Sequence, residues 1–321
     1  MRDHGGNLDV AIRRFGGEAS DWIDLSTGIN RRPYPSVEVE LRQWNALPSR
    51  SDIESLHHAA RQAYSASAPI VAVAGAQAAI QLLPRLSLRG RARILAPTYN
   101  EYVAALSASA WEIAEVSDLE ALAGADLAVV ANPNNPDGRR HDPRDLLALL
   151  PRVGRLMVDE SFADAVPGLS VASEAERAGL LVLRSFGKFY GLAGLRLGFA
   201  IGSPRDIAAL GAMAGPWPVS GAAIAIGRRA LLDDAWAKAT SARLARDCLR
   251  LDAQARTAGW TLLGGTPLFR LYETGDGPAA QERLAGARIW SRVFPNKPGW
   301  LRLGLPGDET EWSRLAAALS R

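Results

Sequence analysis

An α/β fold, with a mostly parallel sheet covered by helices and a smaller α+β domain beside it, is what this sequence predicts. Three observations carry the prediction. Short, near-continuous apolar runs recur along the middle of the chain, helix-forming stretches separate them, and the pattern changes after the break Gly215-Pro216-Trp217-Pro218. Strands without a polar face are buried on both sides, which points to a parallel sheet under helical crossovers.

The elements follow in order. Pro69 to Ala74 reads as a buried strand, and Gly75 opens a helix through Ala78-Ala79-Ile80-Gln81-Leu82-Leu83. Arg93-Ile94-Leu95-Ala96 is a second strand, ended by Pro97. Leu127-Ala128-Val129-Val130 is a third, followed by the turn Asn132-Pro133-Asn134-Asn135-Pro136-Asp137-Gly138. Pro143 to Leu150 is helical, with Asp142 as N-cap and Pro143 at the first helical position, where its missing N–H costs nothing. Arg155 to Val158 and Leu180 to Arg184 complete five strands. Past the proline-rich break, one long helical region is expected from about Gly221 to Ala258. Strands follow at Trp260–Leu263, Leu268–Tyr272 and Trp300–Leu305, then a last helix begun near Asp308 or Thr310. The expected division is an N-terminal arm with part of the small domain (1–45), a large domain (46–215) and a small C-terminal domain (216–321).

The bulk properties exclude several classes of function. A chain of 321 residues can bury a sizeable core, and its 48% hydrophobic and 22% charged content is that of a globular protein. The formal net charge is only +3, with basic residues scattered, so nucleic acid is a poor partner. Cys248 is the single cysteine, which rules out an internal disulfide and a cysteine-rich metal site; it reads as a packed thiol on a helix, and no metal is expected. No apolar signal core follows Met1, and no stretch has the length and purity of a membrane span, so a cytoplasmic location is expected.

Most polar clusters sit where strands end, and in such sheets ligands bind at the carboxyl ends of strands. The most specific is Ser185-Phe186-Gly187-Lys188-Phe189-Tyr190-Gly191-Leu192-Ala193-Gly194-Leu195-Arg196-Leu197-Gly198. A lysine just beyond a buried strand is well placed to form an imine with a carbonyl cofactor, because partial desolvation and nearby positive charge favour the neutral amine. Ser185 and Arg196 supply a hydroxyl and a planar cationic fork, both suited to a phosphate. Gly75-Ala76-Gln77 joins a strand to a helix, a geometry that turns backbone N–H groups toward an anion. Asp159 directly follows its strand, with a helix N-cap as the competing reading. Arg302 lies in the otherwise apolar strand Trp300-Leu301-Arg302-Leu303-Gly304 and needs a partner.

The Lys188 segment resembles the active-lysine motif of the pyridoxal-phosphate enzymes of fold type I, the aspartate-aminotransferase superfamily. The resemblance implies pyridoxal 5'-phosphate as cofactor, with Lys188 as the Schiff-base lysine and Ser185, Arg196 and the turn Gly75-Ala76-Gln77 at its phosphate. It also implies Asn135 at the ring hydroxyl oxygen, Asp159 at the pyridine nitrogen and Tyr99 stacked on the ring. An ordinary turn around Asn135 and a core tyrosine at 99 are the alternatives. Arg302 would grip the substrate α-carboxylate. One departure is Phe162, where many relatives have a tyrosine that reaches the ring oxygen.

Finer features resemble the threonine-phosphate decarboxylases of cobalamin biosynthesis, the aerobic-pathway type. They are His4-Gly5-Gly6-Asn7, Asp24-Leu25-Ser26-Thr27-Gly28-Ile29-Asn30, Ala76 to Arg85, Asp159-Glu160-Ser161-Phe162-Ala163-Asp164 and Arg184 to Phe189. This implies decarboxylation of L-threonine O-3-phosphate in a homodimer. His4 and Asn30 are then candidates for the substrate phosphate, and the Arg31-Arg32 pair is either a further donor set or surface charge. Leu47 stands where many relatives have the tyrosine of a Tyr-Pro pair, so a phosphate contact from a neighbouring subunit has no donor there. The alternative within the superfamily is a histidinol-phosphate aminotransferase. Outside it, a regulatory or scaffold protein that has lost catalysis is the other possibility, and the intact Lys188, Asp159, Asn135 and Arg196 speak against it.

Overall fold

The computed structural model of the chain describes residues 4–35 and 38–320. The first three residues of the expected N-terminal arm, Met1 to Asp3, lie outside that range. The chain divides into two compact units: one comprises Tyr34–Asn135 and Arg139–Lys238, the other Met1–Pro33, Pro136–Gly138 and Ala239–Arg321.

The larger unit is built on a seven-stranded sheet. Its strands are β1 (Ile70–Val73), β2 (Arg91–Leu95), β3 (Glu112–Val116), β4 (Leu127–Ala131), β5 (Leu156–Asp159), β6 (Leu180–Ser185) and β7 (Gly198–Gly202). The spatial order is β1-β7-β6-β5-β4-β2-β3. All neighbours pair in parallel except β7, which runs antiparallel between β1 and β6. The five expected strands are present. Two more, β3 and β7, join them: β3 is a partly exposed edge strand, and β7 is five residues bounded by glycines, so neither carries a strong apolar run. Every residue of β1, β4, β5 and β7 is buried, as expected for a sheet covered on both faces. The core on it includes Ile80, Ile94, Leu106, Val129, Met157 and Leu183. At the β1 edge, His57 of the helix Arg50–Ala63 accepts the Ala72 N–H on Nε2 at 3.1 Å.

The helical region expected from about Gly221 to Ala258 consists of two helices, Gly221–Leu231 and Asp234–Thr257. Asp233 interrupts them by accepting the Trp236 N–H on its side chain at 3.0 Å. The sheet-bearing unit also runs on to Lys238 rather than ending at 215. Gly221–Leu231 packs against the helix Arg50–Ala63 so closely that a Cβ on Gly227 would lie 3.2 Å from Leu56 and 2.5 Å from Leu197.

The smaller unit is α+β. Its four-stranded antiparallel sheet has the order Arg292–Phe294, Lys297–Gly304, Phe269–Glu273, Thr261–Thr266. Ile23–Asp24 pairs in parallel with Ile289–Trp290 in a separate ribbon. The last helix, Glu309–Leu319, is capped by the Asp308 side chain, which accepts the Glu311 N–H. Cys248 is buried and its thiol donates to the Thr266 carbonyl at 3.6 Å, a packed role as expected.

Candidate active site

The carboxyl ends of β1, β2, β4, β5 and β6 open on one cavity in the larger unit. All nine residues expected at a cofactor line it: Gly75, Ala76, Gln77, Tyr99, Asn135, Asp159, Ser185, Lys188 and Arg196. They come from five separate strand ends, and the parallel register brings them together.

At one end of the cavity, β1 turns through Gly75 into the helix Ala76–Leu82. Gly75 has φ +77°, and a Cβ there would stand 2.7 Å from Arg196 Nη2. The backbone thus comes hard against a guanidinium, and only glycine fits both conformation and space. Gly198, the first residue of β7, passes beneath: its Cβ would lie 2.4 Å from the Ala76 nitrogen. Arg196 itself has a left-handed backbone, φ 56°, with Nη1 donating to the Ala193 carbonyl at 3.1 Å. A helix start, an arginine fork and the Ser185 hydroxyl therefore line one cavity, the donor set an anionic group requires.

On the wall, the Tyr99 hydroxyl donates to Gln77 Oε1 at 3.1 Å, and Gln77 Nε2 donates to Glu101 Oε2 at 2.8 Å. The Asn-rich turn divides its labour. Asn132 is fully buried, accepting the His141 N–H on Oδ1 and donating from Nδ2 to the His141 carbonyl. Asn134 accepts from Thr98 Oγ1 at 2.7 Å and donates to the Pro97 carbonyl at 2.8 Å, clipping this turn to the exit of β2. Asn135 alone of the three lines the cavity. The turn is thus structural and site-forming at once.

Asp159 ends β5 and begins no helix, so the N-cap reading is set aside. Its Oδ1 accepts the Ser161 N–H at 2.8 Å and its Oδ2 accepts the Tyr102 hydroxyl at 2.5 Å. Tyr102 also lines the cavity, and burial, reinforced by the Asp159 charge, holds its phenol well above the usual range. Lys188 sits in the short helix Phe186–Phe189 after β6, its Nζ 5.8 Å from the ring centre of Phe162. Phe162 is buried and lines the cavity without a hydroxyl.

The residues adjacent to Asp159 and Ser185, Glu160 after β5 and Arg184 within β6, are also charged but do not line this cavity. Arg184 donates to Glu160 at 2.7 Å and approaches Asp164 at 3.1 Å, with its guanidinium 4.2 Å from the Tyr64 ring centre. All three charged groups are buried. Burial raises both carboxyl pKa values, and the shared arginine opposes the rise. Asp164 Oδ2 and the Tyr64 hydroxyl meet no hydrogen-bond partner among the described residues.

The three expected substrate residues belong to the smaller unit. Arg302 is buried and donates from Nη2 to the Ser26 carbonyl at 2.7 Å. Burial, with Arg292 opposite it on the adjacent strand, pushes its pKa down to about 9, so it stays charged at neutral pH and gains from an anion. His4 is exposed, in a segment whose Gly6 N–H donates to Ser26 Oγ at 2.7 Å, so Arg302 and the His4 segment meet at Ser26. Asn30 is buried elsewhere in this unit, accepting from Arg243 Nη2 at 2.8 Å. Arg31 is held by both Glu311 oxygens and Arg32 by the Gly307 carbonyl, so the pair is anchored rather than loose surface charge. Sequence reasoning passed over Tyr102, Asn134 and Arg292. The repeated Asn in the turn was a usable signal for Asn134, whereas Tyr102 and Arg292 depend on long-range pairing.

The profile of the "Aminotransferase class I and II" family matches residues 21–319. The chain belongs to that family. It is 43% identical to a threonine-phosphate decarboxylase of Sinorhizobium sp over 326 residues, covering 99% of this chain and 97% of that protein. A threonine-phosphate decarboxylase of Pseudomonas aeruginosa is 41% identical over the same proportions. Among solved structures, the histidinol-phosphate aminotransferase of Sinorhizobium meliloti in complex with pyridoxal-5'-phosphate superposes with a TM-score of 0.84 at 20% identity. That match covers 100% of this chain and 94% of the other and bears on the fold. The mostly parallel α/β sheet is the fold of this family.

Proposed function

We propose that this chain is a pyridoxal-phosphate-dependent carboxy-lyase that converts L-threonine O-3-phosphate to (R)-1-amino-2-propanol O-2-phosphate and carbon dioxide, a step of cobalamin biosynthesis. The observation that carries the reading is the 41–43% identity, over 99% of the chain, with two threonine-phosphate decarboxylases.

The cavity fits the cofactor. Its anion-binding donors, a carboxylate and a lysine amine lie at separate strand ends around one space, and the missing Cβ of Gly75 leaves Arg196 its place. When bound, pyridoxal phosphate supplies an electron sink for the carbanion left as carbon dioxide departs. Arg196, Ser185 and the N–H groups of Ala76 and Gln77 would hold its phosphate, Tyr99 its ring face and Asn135 its ring oxygen. Asp159 would keep a proton on the pyridine nitrogen, without which the ring accepts electrons poorly. Lys188 would hold the cofactor at its carbonyl carbon and would supply the proton that Cα receives. Delivery to Cα after loss of carboxylate, and not to the cofactor, is what separates this reaction from transamination.

The substrate carries a carboxylate and a phosphate. Arg302 is assigned to the carboxylate, with Arg292 beside it adding positive charge, and His4 and Asn30 to the phosphate. A homodimer in the cytoplasm completes the reading. The dimer is supported by the exposure of Leu41, Trp44 and Leu47, at 74%, 66% and 65%, an apolar surface that monomers seldom leave bare.

Purified protein loaded with pyridoxal phosphate and given L-threonine O-3-phosphate should release carbon dioxide and accumulate the amino-alcohol phosphate. No release, together with 2-oxoglutarate-dependent turnover of histidinol phosphate, would replace this reading with the aminotransferase one.

A further inference from the structure

Tyr102 stands on the first turn of the helix Glu101–Ala108, immediately after the β2 exit that carries Tyr99. It is 1% exposed, and its side chain bridges two features of the site. Its ring meets Tyr99 edge-on, centroids 5.8 Å apart, and its hydroxyl reaches Asp159 Oδ2, 57 residues further along the chain. A tyrosine that only filled the core could place its hydroxyl on any carbonyl. This one is spent on the carboxylate that faces the cavity.

The chemistry of that contact is directional. An ionised carboxylate has about four lone-pair sites across its two oxygens. The Ser161 N–H occupies one on Oδ1 and the Tyr102 hydroxyl one on Oδ2. Two donors on different oxygens, one from backbone and one from a buried ring, block rotation of the carboxylate and aim its remaining lone pairs. Because burial and the neighbouring negative charge keep the phenol protonated, it remains a donor at every working pH. Hydrogen bonds to charged acceptors contribute more than neutral ones, and a buried acceptor that loses its donor bears a desolvation cost.

We propose that Tyr102 is the positioning residue for Asp159, fixing the carboxylate in the orientation that meets the cofactor's pyridine nitrogen. The proposal rests on the pyridoxal-phosphate reading given above. It does not depend on which substrate is decarboxylated.

Tyr102→Phe keeps the ring and its edge contact with Tyr99 and removes only the hydroxyl. The measurement is the Kd of pyridoxal phosphate for wild type, Tyr102→Phe, Asp159→Asn and the double variant, by equilibrium dialysis. Tyr102→Phe should weaken binding about tenfold in the wild-type background. In the Asp159→Asn background, the same change should alter Kd by less than about twofold, because the carboxylate whose orientation Tyr102 fixes is already gone. Equal losses in both backgrounds would mean that Tyr102 acts through packing alone, and would overturn the proposal. If Tyr102→Phe does not fold, Tyr102→His, which keeps a ring and an N–H donor, takes its place. It should bind within about threefold of wild type, and a loss as large as that of Asp159→Asn refutes the assignment. A wild-type protein that does not retain pyridoxal phosphate would refute the cofactor reading itself, a result distinct from an unchanged Kd in the variant.

Discussion

Asp159 and Glu160 are consecutive residues with the same functional group, and their surroundings give them opposite tasks. Asp159 lines the cavity, held by Tyr102 and the Ser161 N–H. Glu160 is fully buried and accepts from Arg184, Ser170 and the Val171 N–H. The neighbouring strand repeats the division: Ser185 lines the cavity, and Arg184 joins the ion cluster. Successive side chains of a strand point to opposite faces, so one register serves both regions. Binding chemistry and the structural cluster sit one residue apart, and residue type alone does not tell which is which.

The comparison breaks most visibly if each side is disabled in turn. Asp159→Asn should lower decarboxylation about a hundredfold or more, with the unfolding midpoint within about 3 °C of wild type. Arg184→Ala should do the reverse. Removing the cation leaves two carboxylates buried together, and loss of one partner from such a pair costs about 3–5 kcal/mol. Thermal unfolding and single-turnover rates on the same samples would test the contrast, and comparable stability losses in both variants would erase it.

A smaller effect sharpens the comparison on its buried side. Glu160 and Asp164 share one arginine, and burial raises both carboxyl pKa values. The folded protein therefore holds a proton that the unfolded chain gives up near pH 4. The associated stability is fully present below that pH and is lost as pH rises through the raised folded value. Asp164→Asn removes the excess negative charge, so its unfolding midpoint should exceed that of wild type by about 2 °C at pH 8, with the advantage shrinking toward pH 4. A constant difference across that range would show that the cluster does not titrate in the folded protein.

The same contrast explains what could be read in advance. Asp159 follows an apolar run directly and Lys188 and Asn135 follow one within a few residues, so strand ends and polar residues coincided in the sequence, and the parallel sheet then brought them to one edge. The strand β3 was hidden because an exposed edge strand carries few apolar residues, and β7 because a short antiparallel insertion breaks no local pattern. Tyr102 looked like any aromatic on a helix until its hydroxyl met a residue from β5. Arg184 was visible only as part of a motif, since its partners Glu160 and Asp164 lie on the preceding connection. Arg292 depended on the register that sets it opposite Arg302.

His57 ties the sheet's outer boundary to acidity. The strand Ile70–Val73 is the last in the row, and the imidazole covers its Ala72 N–H only while Nε2 is unprotonated. Burial lowers the His57 pKa, with Arg61 assisting and Glu54 opposing, so folding favours the neutral ring. Stability from this contact is present above the ordinary imidazole value near 6.5 and lost as pH falls through the lower folded one. An uncovered donor on a terminal strand is a template on which a second chain can add a strand. Mild acid should therefore show first as light scattering from self-association, and His57→Gln, whose carbonyl accepts at any pH, should delay it.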